Sequence, residues 1–237
     1  MLEFLKLRSA SLMPHAAVGH LGWLRGAIGA ALGILTAGIV TIVCLGSTSP
    51  ALPWLVAPMG ASAVLVFAVP ASPLAQPWPV IGGNLLSSAI GLYMGASLGP
   101  APLGAAVAVG TAIAVMSLTR SLHPPGGACA LLCALGAAGP DGWGWLYMLP
   151  VAVNVLALAG VGWSYNNLTG HPWPHHLRVP AASPDSAAIA YRREDLEAVL
   201  ADWNEVVDVD IDDLDAIFQA VHRRVARRDR DGIAAQS

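Results

Sequence analysis

Long apolar runs dominate the chain, and the breaks between them are short and rich in proline and glycine. Six apolar segments stand out: Leu24–Leu45, Pro53–Val69, Val80–Leu98, Leu103–Leu118, Pro124–Ala138 and Trp145–Tyr165. A helix needs about 20 apolar residues to span the hydrocarbon of a bilayer. The pattern therefore predicts an all-α, polytopic membrane helix bundle of about six segments, of which the second and fifth are short or broken.

Charge is distributed very unevenly along the 237 residues. Residues 26–177 carry two full charges, Arg120 and Asp141, whereas residues 178–237 carry 21. Only 11% of all residues are charged, against about 25% in soluble domains, and 55% are hydrophobic, which excludes a disordered chain. We therefore expect a cytoplasmic leader (1–22), a transmembrane domain (23–177) and a soluble, charged, helical tail (178–237).

The flanking cations predict the topology. Lys6, Arg8 and Arg25 precede or open the first segment, and Arg178 follows the last one. Because positive residues favour the cytoplasmic side, both termini are expected there, in the inner (cytoplasmic) membrane. An even number of crossings satisfies both ends. Six crossings are favoured, and they place Arg120 on the cytoplasmic side. The alternative is four crossings with two re-entrant segments, which places Arg120 on the outer side.

Tryptophans and glycines follow patterns typical of membrane helices. Seven of the eight tryptophans lie near segment ends, where aromatic belts form: Trp23, Trp54, Trp78, Trp143, Trp145, Trp163 and Trp173. Small residues recur at helical spacing in two sets: Gly91, Gly95 and Gly99, and Gly22, Gly26, Gly29 and Gly33. Such faces let helices approach closely. They serve packing within one subunit or, as the alternative, a homo-oligomer contact.

Two stretches of the chain are alike at an offset of 67 residues. Residues 58–65 read PMGASAVL, residues 125–132 read PGGACALL, and five of the eight positions are identical. Asn84 and Asn154 each follow a proline early in a long apolar segment. The chain is therefore interpreted as two inverted three-segment repeats, with a binding site where the repeats meet. Chance similarity in an Ala/Gly-rich sequence is the alternative.

The repeated motif suggests an anion site built from backbone. Proline suits the first turn of a helix, and the next few N–H groups have no intrahelical partner. Two such helix starts inside a membrane would bind an anion without a lysine. The predicted substrate-binding residues are thus those of the two helix starts and the two asparagines: Gly60, Ala61, Ser62, Gly126, Gly127, Ala128, Asn84 and Asn154.

Arg120 and His123, just before the second motif, complete the predicted binding set. Ionisable residues within membrane segments are costly and usually functional. Here Arg120 would attract an anion and His123 would donate a hydrogen bond or carry a proton. The alternatives are a snorkelling arginine at the membrane interface and a capping or packing histidine.

Several chemistries are disfavoured by the residues present. Cys129 and Cys133 match no zinc spacing with His123 and are interpreted as small packing residues. Asp141 is the only acid in the apolar domain, and no nucleophile–base pair is visible. The net charge of −3 leaves no basic footprint for nucleic acid. We therefore expect no catalytic residues, no metal and no cofactor.

The stretch LTRSLHPPGGA at residues 118–128 resembles the HPP family of integral membrane proteins. Residues 58–65, 73–77, 80–84 and 165–168 are similar to further family motifs, and the resemblance covers roughly residues 20–177. One departure is Asn84, where many members carry histidine. Plastid and cyanobacterial relatives are associated with nitrite transport. The tail resembles the connecting segment of members with C-terminal CBS domains, which bind adenine nucleotides, but it contains no CBS pair.

The leading hypothesis is an integral membrane transporter or channel for a small anion, with nitrite as the best guess. Its expected partners are the lipid bilayer and the anion itself. The alternative is a non-transporting scaffold or sensor that signals through the cytosolic tail. Within that tail, residues 192–203 and 212–228 are predicted to form amphipathic helices.

Overall fold

A computed structural model describes residues 22–46, 52–99, 102–175, 192–203, 209 and 211–234, and their regular structure is helical. The leader before residue 22 and Arg178 lie outside these ranges. Eight α-helices are present in the described ranges: α1 (Gly22–Leu45), α2 (Met59–Ala68), α3 (Asn84–Leu98), α4 (Pro102–Leu118), α5 (Pro124–Ala138), α6 (Met148–Leu168), α7 (Arg193–Trp203) and α8 (Ile211–Ala234).

Three short turns complete the membrane-domain helices. A 3₁₀ turn, Pro73–Ala75, lies in the loop after α2, a π-turn, Pro79–Gly83, leads into α3, and a 3₁₀ turn, Trp145–Tyr147, leads into α6. Two helical runs, Gly22–Leu45 and Trp145–Leu168, are long and apolar enough to cross a bilayer. The helices α2, α4 and α5 are shorter, with 10, 17 and 15 residues. The number of crossings therefore stays a prediction.

The second predicted segment is helical only in its second half. Residues 52–58 are non-helical, and α2 begins at Met59. Pro53 and Pro58 have no backbone N–H to continue a helix, and the Val56 N–H donates to the Asn154 side chain at 2.9 Å. The expectation of a short or broken second segment is confirmed, since only Met59–Ala68 of the segment is helical.

The six helices of the apolar domain alternate in direction. Arg25, at the start of α1, donates to Asn166 near the end of α6 and to the Phe67 carbonyl near the end of α2. Trp78, just before α3, donates to the carbonyl of Thr119, just after α4. We call the end of the bundle marked by these five residues the inner end, and the opposite one the outer end. The alternation is what six crossings with both termini on one side require.

The helices form two groups of three. In one group α1, α2 and α6 pack against one another, and in the other α4, α5 and α3 do so. Each group takes two helices from one predicted repeat and its third helix from the other repeat. Exchanging α1 with α4, α2 with α5 and α6 with α3 maps one group onto the other. This exchange is the packing expected of two inverted, intertwined repeats.

The glycine faces serve contacts inside the chain. A methyl group at Gly91 or Gly95 would overlap the carbonyl oxygens of Ala130 and Ala134, so α3 and α5 touch backbone to backbone. Gly29 and Gly33 leave room for the ring of Phe67. Packing within one subunit therefore accounts for these four glycines. Gly22 and Gly99 make no such contact in the described part of the chain.

Arg25 ties three helices together at the inner end. Its Nη2 donates to the Phe67 carbonyl at 2.6 Å, and its Nη1 donates to Asn166 Oδ1 at 2.9 Å and to Thr169 Oγ1 at 3.3 Å. Tyr165 in turn donates its hydroxyl to the Arg25 carbonyl. The guanidinium thus satisfies carbonyl and side-chain oxygens where α2 and α6 end, and a cation is favoured at such helix ends.

Replacing Arg25 by glutamine is expected to lower the unfolding free energy by about 2 kcal/mol, because charge-assisted hydrogen bonds are lost. Arg25→Lys should recover less than half of the loss, since an ammonium lacks the planar fork that reaches several oxygens. Thermal unfolding in detergent measures both variants. Arg120→Gln, at an exposed position of the same end, is the matched control. Equal melting of the Arg25→Gln and Arg120→Gln variants would contradict the assigned role.

Candidate functional site

A buried polar cluster lies where the two helix groups meet. It consists of Ser62 from α2, Asn84 at the start of α3, His123 just before α5, and Cys129 in α5, and all four are fully buried. We call this cluster the polar seam. Asn84 follows Trp78 by six residues through the π-turn, which places the seam between one and two helical turns from the inner end.

The hydrogen bonds of His123 define its tautomer. Its Nδ1 lies 2.8 Å from the carbonyl oxygen of Leu74, which can only accept, so Nδ1 carries a proton. Its Nε2 lies 2.9 Å from Ser62 Oγ. In the neutral ring Nε2 accepts, and the Ser62 hydroxyl is then the donor. His123 thus links the loop after α2 to the first turns of α2 itself.

Asn84 joins the two repeated motifs. Its Nδ2 donates to Ser62 Oγ at 3.1 Å and to the Val80 carbonyl at 2.8 Å, and its Oδ1 accepts from Cys129 Sγ at 3.1 Å. Ser62 and Cys129 are equivalent positions of the repeated sequence, 67 residues apart. The starts of α2 and α5 therefore meet side by side, with Asn84 between equivalent side chains.

Glycines allow this close meeting. A Cβ at Gly83 would lie 2.6 Å from His123 Cβ, and a Cβ at Gly126 would lie 2.8 Å from the Gly83 carbonyl oxygen. Both distances are well inside van der Waals contact, so neither position accommodates a larger residue without displacement. Gly126, predicted to bind substrate through its amide, instead lets the start of α5 rest against α3.

The prediction that the amides at the helix starts lack partners is wrong for four of them. Met59, Gly60 and Ala61 donate to the carbonyls of Val56, Ala57 and Pro58 at 2.9–3.1 Å, and Gly126 donates to that of His123 at 2.8 Å. The reason at α2 is that Pro58 already has helical dihedral angles, φ −57° and ψ −18°. Turn-type hydrogen bonds therefore continue backwards from the first residue of the helix.

The two helix starts also present an open side. Gly60, Ala61 and Ala128 are exposed, and Gly127 is partly exposed. A Cβ built on Gly60 or Gly127 meets no atom of the described chain within 4 Å. Gly127 lies in the first turn of α5, four residues after His123. Open space therefore borders the first turn of α5, which follows His123 directly in the chain.

Two of the predicted residues lie away from the seam. Asn154 is buried in the outer half, where its Nδ2 donates to Thr41 Oγ1 at 2.6 Å and its Oδ1 accepts from the Val56 N–H. It holds the non-helical segment that leads into α2. Arg120 is exposed at the inner end, with a left-handed φ of 54°. The structure thus brings Ser62, Asn84 and His123 together, and places Asn154 and Arg120 elsewhere.

Residues 15–174 match the family model described as HPP, transmembrane region. The chain belongs to the HPP family. It is therefore a transmembrane protein, in contact with a lipid bilayer. His123, Pro124 and Pro125 are the residues that spell the family's motif, and in this HPP protein the motif histidine is the central member of the polar seam.

Similar proteins of Dictyostelium discoideum are named transmembrane proteins. One is 44% identical over 89 residues, covering 35% of this chain and 30% of the relative. Another is 37% identical over 120 residues, covering 48% of this chain and 38% of the relative. The chain thus matches about a third of the length of these relatives. No solved structure matches this HPP protein.

Sequence reasoning missed the loop that holds the HPP histidine. The loop after α2 supplies the Leu74 carbonyl to His123, and its Ala75 carbonyl accepts from Trp173 Nε1 at 2.9 Å. Trp173 is buried, so its assignment to an aromatic belt is wrong. Cys129 packs in the core as predicted but also donates to Asn84. The proline-flanked motif at residues 73–77 was the available signal for this loop.

Proposed function

We propose that this HPP-family protein is a transporter or channel for a small anion, with nitrite as the leading candidate. The anion would pass between the two helix groups, beside the polar seam. The observation that carries the proposal is the Ser62–His123 hydrogen bond, 2.9 Å long and fully buried, which joins the starts of α2 and α5. Meeting points of inverted repeats built from short, interrupted helices are characteristic substrate sites of transporters.

The described residues provide polar groups suited to an anion. The Ser62 hydroxyl is a donor once its bond to His123 opens, and Nε2 of His123 becomes a second donor when the ring is protonated. The positive ends of two helix dipoles lie beside these two side chains. Arg25 and Arg120 at the inner end supply positive charge, which raises the local concentration of an anion there. Because four of the motif amides are already bonded, the proposed recognition rests on side chains and dipoles more than on free N–H groups.

A rocking motion of the two groups provides the proposed route. Both hydrogen bonds of Ser62, to His123 and to Asn84, connect one helix group to the other. Separating the groups at the seam would break these two bonds and expose Ser62 and His123 together. Re-forming the bonds would close the path again. This scheme corresponds to alternating access by rigid-body movement of two packed units around a fixed site.

The proposed membrane placement has six crossings, with the inner end on the cytoplasmic side of the inner membrane. Alternating helix directions support it, as does the charge asymmetry: in residues 22–175 both cations, Arg25 and Arg120, belong to the inner end. Asp141 lies in the loop between α5 and α6, at the other end. Positive charge at the cytoplasmic side is the usual distribution in multipass proteins.

Anion uptake by the purified full-length chain in liposomes tests the proposal. Nitrite should enter protein-containing vesicles at least ten times faster than protein-free vesicles, and Ser62→Ala should lower this rate because it removes the hydroxyl of the seam. Nitrate, formate and chloride are run in parallel to define the anion. Uptake equal to that of protein-free vesicles for every anion would overturn the transport function.

A further inference from the structure

The C-terminal helix α8 carries an apolar face on its surface. Leu214, Ile217, Val221 and Val225 follow the i, i+3/i+4, i+7 spacing that places side chains on one side of a helix. Ile217 is 55% exposed, Val221 is 53% exposed and Val225 is 40% exposed. Leu214 is half-buried. A tail helix in water gains nothing from such a face, so the face calls for a partner.

The opposite, polar side of α8 contacts α7. Asp212 forms an ion pair with Arg193 of α7, which also pairs with Glu197 at 3.0 Å. Asp212 precedes Val221 by nine residues, and at 100° per residue the two lie about 180° apart around the helix. The helix α7 therefore contacts the polar side of α8 and leaves the apolar face clear of this contact.

One edge of the apolar face is fastened to the inner end of the bundle. Asp213 Oδ1 lies 3.0 Å from His175 Nε2, and the His175 backbone N–H donates to Gln76 Oε1 at 2.8 Å. Gln76 belongs to the inner-end loop before α3. Ile217 follows Asp213 by four residues and hence lies on the same side of α8. The attachment turns that edge of the apolar face towards the inner end of the transmembrane domain.

Arg224 lies at an edge of the apolar face, and Arg228 lies on the face, two turns after Val221. Val221, Arg224, Val225 and Arg228 together line a groove of about 370 Å³. Around the helix, Arg224 and Arg228 lie within about 60° of Val221. Apolar side chains flanked by arginines are complementary to an anionic bilayer surface, with acyl chains below the headgroups and phosphates beside the guanidinium groups.

We propose that α8 lies along the cytoplasmic surface of the bilayer. Its apolar face would enter the lipid, Arg224 and Arg228 would contact anionic headgroups, and the His175–Asp213 contact would fix where the helix begins. The proposal is independent of what the transmembrane domain transports. It rests on the placement of the inner end at the cytoplasmic membrane surface, which is where a helix fastened to Gln76 must start.

Spin labels on the full-length chain test this placement. With Cys44, an exposed thiol, replaced by serine, a label is attached at Val221→Cys or, as the matched control, at Gln219→Cys about 160° around the helix. The protein is reconstituted in phosphatidylcholine vesicles with or without phosphatidylglycerol. In the anionic vesicles the Val221 label should be accessible to oxygen and shielded from a water-soluble nickel chelate, and the Gln219 label should show the reverse.

Arginine replacement gives the second readout. Arg224→Gln and Arg228→Gln should each weaken the lipid-contacting state about five-fold in anionic vesicles, and much less in phosphatidylcholine alone. Two results would overturn the proposal. One is equal nickel accessibility at both labelled positions in anionic vesicles. The other is strong spin–spin coupling between Val221 labels of different molecules, which would assign the apolar face to a second copy of the chain.

Discussion

Gly91→Leu is expected to yield no folded, monodisperse protein, whereas Gly110→Leu is expected to purify like the natural sequence. At Gly91 the α3 backbone touches α5, and any Cβ would overlap the Ala130 carbonyl oxygen. Leucine would have to separate two helices whose contact is backbone against backbone. Gly110, in α4, is exposed, and a Cβ there meets no atom of the described chain within 4 Å. Size-exclusion chromatography in detergent distinguishes the two outcomes.

Alanine at the same two positions gives a graded version of the experiment. Gly91→Ala should lower the unfolding free energy by about 2–3 kcal/mol, as overpacking of a closed interface does. Gly110→Ala should be neutral or stabilising by up to about 1 kcal/mol, because alanine is the better helix former. Melting temperatures in detergent report both changes. If the Gly91→Ala and Gly110→Ala proteins had the same melting temperature, α3 and α5 would not be in this close contact.

His123→Ala is expected to abolish anion flux and to lower the unfolding free energy by about 3 kcal/mol. The substitution removes a fully buried ring and leaves the Leu74 carbonyl, which accepts from Nδ1 at 2.8 Å, without that donor. The loss combines a cavity with an unpaired buried polar group. It also removes the partner of Ser62 in the bond that joins the two helix groups. Flux in liposomes and thermal unfolding in detergent measure the two effects separately.

His171→Ala is the matched control for the histidine experiment. His171 is exposed, in the turn that follows α6. Its replacement should change neither flux nor melting temperature by a measurable amount, since exposed substitutions away from special features have small effects. If His123→Ala behaved like His171→Ala in both assays, the polar seam would be neither a structural nor a functional centre.

The apolar pattern predicted most of the architecture because its physical basis is local. A long run without charge forms a helix in lipid regardless of which other helices pack against it. The fifth segment, for example, is a helix over Pro124–Ala138, the same bounds as the predicted segment. The pairing of Asn84 with both Ser62 and Cys129 depends on how distant helices meet. No spacing along the chain encodes it, although the repeat at an offset of 67 residues indicated that the two positions are equivalent.

The sequence predicted three residues of the candidate site, but it did not predict how they bond to one another. Ser62, Asn84 and His123 were singled out, and they form one hydrogen-bonded cluster. The proposed amide-based anion site depended on N–H groups without hydrogen-bond partners. Because Pro58 has helical dihedral angles, the first turn of α2 extends backwards and several of these N–H groups are already bonded to carbonyls. Such a dihedral angle cannot be read from residue types. Asn154, like Asn84, follows a proline early in a long apolar segment. In the structure, however, it lies in the outer half and accepts a hydrogen bond from Val56 in the non-helical segment before α2.

The central claim is that an anion passes beside the polar seam, and a pair of glycine variants tests it most directly. Gly127 and Gly110 both have open space where a side chain would begin, so leucine at either position should leave the fold intact. Gly127 adjoins His123, whereas Gly110 lies in α4. In liposomes, Gly127→Leu should reduce nitrite flux at least ten-fold, and Gly110→Leu should leave it unchanged. Equal flux through both folded variants would contradict a path at the seam.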